Sequence, residues 1–159
     1  MRNPPRNTIA KDAIAVWKIT ATLYIIFLWL FIMGSTIVFV VLKYSLFLII
    51  IVWGIAIFST YLFVFRIPRL RFRRWRYEVF EQEIYIQHGI LIRTRTLIPM
   101  IRVQHVDTKQ GPILRKFNLA SVTISTAATT HEIPALLEEE ASELRDHISS
   151  LAKVDEDDV

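Results

Sequence analysis

The stretch that decides the fold is residues 66–77, RIPRLRFRRWRY, in which six arginines are interleaved with apolar and aromatic residues. Taken alone, such a stretch is typical of a surface that binds nucleic acid. Two long apolar runs lie before it, and short alternating segments follow it. We therefore interpret these residues as a junction between a membrane anchor and a separate folded domain.

The charges are unevenly distributed along the chain. Residues 1–65 carry five basic residues and one acidic residue, whereas residues 77–159 carry eight basic and fourteen acidic residues. A domain that binds nucleic acid is usually basic itself, so we do not expect nucleic acid as a partner. The chain has no cysteine, which excludes disulfides, thiol catalysis and cysteine-based metal sites.

Two uncharged runs, residues 19–41 and 46–65, predict a pair of transmembrane helices. A helix needs about 20 apolar residues to cross a hydrocarbon core of roughly 30 Å, and both runs are long enough. Because the link between them is only residues 42–45, the helices must form an antiparallel hairpin. Ten lysines and arginines flank the hairpin, against Lys43 alone at its tip, so we expect a two-span cell-membrane protein with both termini in the cytoplasm.

This pattern divides the chain into five parts. They are a basic cytoplasmic N-terminal segment (1–18), the transmembrane hairpin (19–65), an arginine-rich junction (66–76), a folded domain (75–153) and an acidic tail (154–159). Each basic residue near an anionic leaflet contributes about 1 kcal/mol of attraction, so the arginines of the junction are expected at the lipid headgroups. The side chains predicted at the membrane interface are Trp17, Arg66, Arg69, Arg71, Arg73, Arg74, Trp75 and Arg76.

Three residues near the spans carry further expectations. Pro68 is expected to end the second membrane helix, because proline lacks the amide hydrogen that a helix interior needs. Trp29 and Trp53 fall near mid-membrane by residue count, where lipid contact or packing within the hairpin is favoured over contact with a partner.

The second half of the chain shows the alternation of apolar and polar residues that predicts strands of an antiparallel sheet. Residues 111–118 break this alternation and predict a short helix, with Pro112 at its start and Asn118 at its end. Residues 135–153 predict an amphipathic C-terminal helix that covers the sheet. The predicted strands are 75–80, 83–89, 90–99, 102–110, 121–126 and 130–134.

These elements predict a small α+β domain. A partly open barrel closed by the C-terminal helix is one solution, and the pattern alone does not separate it from other small folds of a sheet and a helix.

Two sequences then carry a resemblance: RWRYEV (74–79) directly after the hairpin, and IPMIRVQHVDTKQGPILRKFNLASVTISTA (98–127). They resemble the bacterial pleckstrin-homology (PH)-like family of membrane-flanked proteins, formerly a domain of unknown function, and in particular its short two-span members. The similarity covers essentially the whole chain. It implies a cytoplasmic PH-like split β-barrel with a C-terminal helix. It also implies membership of a membrane complex, often beside a larger relative with several such domains.

The residues themselves offer little catalytic chemistry. His105 and Asp107 share one strand face, but the spacing typical of metal or nucleophile sites is missing, so we expect no enzyme activity, no metal and no cofactor. We expect a non-enzymatic interaction or assembly module in a membrane complex. Whether the chain also forms a homo-oligomer is left open by the sequence. The alternative function is a module that senses anionic lipid through basic residues of the folded domain. Ordinary solvated surface charge also explains those basic residues. The candidate partner or lipid contacts are Arg93, Arg95, Arg102, Gln104, His105, Asp107, Lys109, Arg115 and Lys116.

Overall fold

The computed structural model describes residues 3–157, which form two compact units. The hairpin unit comprises Ile14–Arg69, and the sheet unit comprises the residues up to Ala13 together with those from Leu70 onwards. Helix α1 (Ala13–Val41) and the helical segment Leu46–Arg74 are each long and apolar enough to cross a membrane. The two predicted spans are therefore present as helices.

Aromatic and hydroxyl side chains join the two helices of the hairpin unit. Trp29 on α1 meets Trp53 on α2 (Leu46–Thr60) edge to face, with 5.4 Å between ring centroids. The Trp29 indole donates a hydrogen bond to Thr60 Oγ1 (3.1 Å), and the Trp53 indole donates one to Thr36 Oγ1 (3.1 Å). The two tryptophans therefore pack within the hairpin, which is one of the two favoured interpretations of their mid-membrane position.

The expectation that Pro68 ends the second helix is wrong. A π-helical turn, Tyr61–Arg66, follows α2, and α3 (Ile67–Arg74) continues past the proline. In this turn the Ile67 amide donates to the Leu62 carbonyl, five residues back. Proline interrupts a regular helix because it cannot donate and because its ring crowds the carbonyl four residues earlier. The wider turn supplies an alternative bonding pattern directly before the proline, and the helix runs on to Arg74.

Two three-stranded antiparallel sheets make up most of the sheet unit. Two short helical segments interrupt the strands: a 3-10 turn (Met100–Arg102) and α4 (Pro112–Lys116). Helix α5 (Glu138–Asp157) follows the last strand. In spatial order, the strands of the first sheet are β1 (Arg76–Val79), β2 (Glu83–His88) and β3 (Thr94–Pro99), and those of the second are β4 (Val103–Lys109), β5 (Leu119–Thr126) and β6 (Thr130–Leu137).

The core of the sheet unit consists of apolar side chains from both sheets and from one face of α5, which packs against β4, β5 and β6. Burying this apolar surface is the main force that holds the sheets and the helix together. The predicted α+β architecture, with a C-terminal helix on the sheets, is confirmed. The fully buried residues of this core include Ile84, Ile86, Val122, Ile124, Ile133, Leu136, Ala141 and Ile148.

A short piece of chain before α1 also belongs to the sheet unit. Asn7 and Tyr77 on β1 exchange two backbone hydrogen bonds of 3.1 Å, and the Ala10 amide donates to the Ala135 carbonyl on β6 (3.0 Å). Ile9 between them is only 2% exposed. This N-terminal bridging segment (residues 7–10) therefore joins an end strand of one sheet to an end strand of the other.

Several predicted boundaries differ from the observed ones; for example, β5 begins at Leu119 and not at 121, and β6 ends at Leu137 and not at 134. The C-terminal helix begins at Glu138 and not at 135, because β6 continues to Leu137 with a register shift opposite Ala120 and a positive φ (51°) at Ala135. Residues 90–93 lie in a loop, so the strand predicted over 90–99 is confirmed only from Thr94. The acidic tail starts within α5, and residues 158–159 lie outside the described residues.

Candidate functional site

The arginines of the junction are carried mainly by α3. Arg66 is the last residue of the π-helical turn and Arg76 the first residue of β1, so α3 and its flanks present the whole basic cluster. Trp75 differs from its neighbours because it is buried (7% exposed) and stacks on the His88 ring, with 5.5 Å between centroids. The structure therefore places Trp75 in the packing of the sheet unit. Trp17 is half-buried on α1, and the arginines of α3 are Arg69, Arg71, Arg73 and Arg74.

A cavity of about 610 Å³ lies beside Arg71, and we call it the Arg71 cavity. Arg71 and Glu132, which carry opposite charges, both line this cavity. The loop between β2 and β3 forms one wall of the cavity. Its lining residues are Arg71, Trp75, Ile86, His88, Gly89, Ile90, Leu91, Ile92, Thr130, His131 and Glu132.

That loop exposes two large apolar side chains, Leu91 (95% exposed) and Ile92 (81% exposed). The turn into it is made by Gly89 at a φ of 104°, where an added Cβ would collide with the Ile92 carbonyl oxygen. Only glycine adopts this conformation readily, so the shape of the loop is specified by the sequence. Residues 90–99 alternate as a strand does, so the sequence did not predict that Leu91 and Ile92 form the exposed tip of a loop.

Three of the candidate contacts, Arg93, Arg95 and Arg102, lie in two separate places. Arg93 and Arg95 lie on the β2–β3 hairpin, where the Arg95 Nε–H donates to Gln87 Oε1 (3.0 Å). Arg102 lies on the 3-10 turn and lines a second cavity of about 480 Å³, together with Gln104 and the β5–β6 turn. This arrangement does not favour one headgroup pocket built from all three arginines.

The remaining predicted contacts lie on and after β4. Along this strand Val106 and Thr108 are half-buried, whereas the predicted contact residues face solvent. A register shift opposite β5 separates Val103 from His105. The exposed predicted residues are Gln104, His105, Asp107 and Lys109 on β4, with Arg115 and Lys116 on α4. The structure therefore gathers most of the predicted contacts on one strand and the short helix after it.

The chain turns between β5 and β6 at residues 127–129. Thr126 Oγ1 donates to the Thr129 carbonyl (2.8 Å) and accepts from the Thr129 amide (3.1 Å). Thr129 Oγ1 also lies 2.9 Å from His131 Nε2. Within residues 3–157, no group of three or more histidine, aspartate or glutamate side chains is placed to hold a metal ion.

Comparison with known proteins agrees with this architecture. The family model for the bacterial PH domain matches residues 13–152. The chain is 45% identical over 159 residues to the UPF0699 transmembrane protein YdbS of Bacillus subtilis (strain 168), and the match covers 100% of both chains. No solved structure matches. The predicted resemblance to short, two-span members of the PH-like family is thereby confirmed, and this transmembrane chain belongs to the bacterial PH domain family.

Proposed function

We propose that this chain is a non-enzymatic interaction module, which assembles with another membrane protein through the exposed side of β4. The hairpin anchors and orients the sheet unit, with both termini in the cytoplasm. The excess of lysine and arginine beside the spans supports that orientation.

The observation that carries the proposal is the contrast between β4 and two other end strands. β1 and β6 bond to the N-terminal bridging segment, whereas the backbone pairing described for β4 is with β5 alone. An end strand presents a row of amide and carbonyl groups on which a partner can add a strand. The outer side chains His105 and Asp107 supply charge and hydrogen-bonding groups beside that edge, which a partner can recognise specifically.

The partner we propose is a larger membrane protein of the same family with several PH-like domains. A related domain carries equivalent sheet edges, so two such domains can meet edge to edge with complementary backbone geometry. Membrane anchoring of both proteins confines them to two dimensions and raises their effective concentration, so a modest interface suffices for assembly. A second copy of this chain is the alternative partner.

Site-specific photo-crosslinking in native membranes tests the proposal. A photoreactive amino acid is placed at His105 or at Asp107 in the full chain, and the adducts are identified by mass spectrometry. We expect both positions to crosslink to a larger membrane protein that carries PH-like domains. Charge reversal by Asp107→Lys should weaken the co-purification of that partner from detergent without changing the helix content of this chain.

The matched control carries the same photoreactive group at Glu143, an exposed residue of α5. Glu143 lies outside β4 and α4, so an adduct specific to the proposed surface should be missing there. Adducts only with a second copy of this chain would overturn the proposed partner. A strictly monomeric chain without adducts at His105 and Asp107 would overturn the assembly function itself.

A further inference from the structure

Among the residues of the sheet unit whose exposure the structure describes, the β2–β3 loop has the most exposed large apolar side chains. Leu91 is 95% and Ile92 81% exposed, and the next such side chain, Ile101, is 61% exposed. Two neighbouring aliphatic side chains held fully in water are unfavourable unless another phase or surface covers them.

The loop is short and conformationally restricted. The pair His88–Thr94 closes it at the base of the hairpin, and Gly89 sets its direction with a φ of 104°. Presenting Leu91 and Ile92 from a defined loop means that little conformational entropy is lost when they become covered. A loop of this kind can be covered by another phase or surface without changing its conformation.

The position of the loop within the sheet unit points to what covers it. Leu91 and Ile92 line the same cavity as Arg71, which belongs to the same unit. Arg71 follows Phe65, the end of the second apolar run, by six residues. Even a fully extended chain of that length reaches only about 20 Å, so the covalent chain keeps this end of the sheet unit near the bilayer surface.

We propose that the loop Ile90–Ile92 inserts into the headgroup–acyl boundary of the leaflet from which the sheet unit emerges, with Arg93 beside the anionic headgroups. Aliphatic side chains enter this boundary readily, and a neighbouring basic residue adds attraction to anionic lipid. A protein partner fits less well, because a stable protein interface buries roughly 1,000 Å² or more and this tip offers only three apolar side chains. The proposal stands independently of the assembly role of β4.

The chain has no cysteine, so one introduced cysteine gives a single labelling site. Leu91→Cys is labelled with an environment-sensitive fluorophore in the full chain. The labelled protein is placed in nanodiscs made of equal parts phosphatidylcholine and phosphatidylglycerol. We expect blue-shifted emission that is quenched by lipids carrying a spin label near the top of the acyl chain.

Lys116→Cys with the same fluorophore is the matched control. Lys116 is exposed and precedes β5 at Leu119, whereas the cavity-lining Thr130 pairs with Ser125 near the other end of β5. The six residues from Leu119 to Ser125 separate these ends by about 20 Å. We therefore expect water-like emission and little quenching from the control.

A second variant tests whether the apolar character of the tip is responsible. Ile92→Asp in the Leu91→Cys protein should move the emission and the quenching to the values of the Lys116 control. Ile92 is exposed, so we expect this change to leave the fold intact, and circular dichroism of the variant checks this.

Either of two results with the Leu91 label overturns the proposal. Water-like emission would show that the tip stays in solvent. Blue-shifted emission without quenching by the spin-labelled lipid would show that protein, from a partner or from a second copy, covers the tip instead.

Discussion

Replacing Ile9 by alanine should detach the N-terminal bridging segment from the two sheets. Ile9 is 2% exposed, and the segment makes three backbone hydrogen bonds, two with Tyr77 and one with Ala135. Truncating a buried isoleucine to alanine costs about 2–5 kcal/mol, since packing is lost and a cavity is left. We take about 3 kcal/mol as the expected loss for the attachment of this segment.

Hydrogen exchange of the full chain in nanodiscs measures this loss at single amides. The Tyr77 amide donates to the Asn7 carbonyl, so its protection depends on the bridging segment. In an antiparallel pair, bonded and non-bonded residues alternate, so the neighbouring Glu78 amide faces its partner Tyr85 on β2. A loss of about 3 kcal/mol should speed exchange at Tyr77 by about 100-fold, because each 1.4 kcal/mol is a factor of ten. The Glu78 amide should change little.

Thr8→Ala is the matched control, since Thr8 adjoins Ile9 but is exposed. A surface change of this kind usually alters stability by less than about 0.5 kcal/mol, so both amides should keep their rates. Unchanged exchange at Tyr77 in Ile9→Ala would refute the reasoning. Equal acceleration at Tyr77 and Glu78 would also refute it, because the substitution would then act on the whole of β1 and not on its outer edge.

Two further predictions concern single side chains. Burial, with a smaller contribution from the negative charge of Glu140, raises the pKa of Tyr77 above its ordinary value of 10.0. Stability from this phenol is fully present below pH 10 and is lost as the pH rises through the raised pKa, so the alkaline decline in melting temperature should be shallower in Tyr77→Phe. In the hairpin, Thr60→Val should cost about 0.6–1.7 kcal/mol more than Thr20→Val in detergent unfolding. Both hydroxyls bond to a carbonyl of their own helix, but Thr60 Oγ1 also accepts from Trp29, and equal costs would assign no stability to that bond.

The spans and most of the strands were predictable because each reports a strong and local physical requirement. A bilayer core demands a long run without charge, and runs 19–41 and 46–65 both satisfy it. Strands with one buried face demand alternation, which β4 shows from His105 to Lys109. Asn118 has a positive φ of 52°, as its predicted place at the end of α4 requires.

The errors arose where two patterns overlap. The helical spacing before α5 extends back to Leu137, but that residue pairs with Leu119 as the last residue of β6. Proline usually ends a regular helix. The π-helical turn that lets this helix continue past Pro68 is visible only in the structure. At Leu137 the helical spacing is overridden by pairing with Leu119, which is distant in sequence. At Pro68 the change is local, because the hydrogen bonding before the proline reaches five residues back.

The bridging segment and the apolar tip could not be predicted for a different reason. Residues 7–10 carry no periodicity, and their role depends on β1 and β6, which lie more than sixty residues later in the chain. The exposure of Leu91 and Ile92 depends on a loop conformation set by Gly89. The individual contact residues on β4 were predicted from the sequence. That β4 is an end strand of its sheet depends on the order of the strands, which the sequence does not reveal.

The bridging segment also bears on membrane topology. Asn7 precedes the first span and Tyr77 follows the second, yet they exchange backbone hydrogen bonds within one compact unit. Chain segments that bond directly to each other must lie on the same side of a bilayer, because its hydrocarbon core excludes unpaired backbone between them. This geometry supports a hairpin on grounds that do not depend on charge. Which side that is rests on the proposed orientation, for which the excess of ten flanking lysines and arginines over one at the tip is the argument. We therefore expect the first and last segments of the sheet unit to meet only after both spans are inserted.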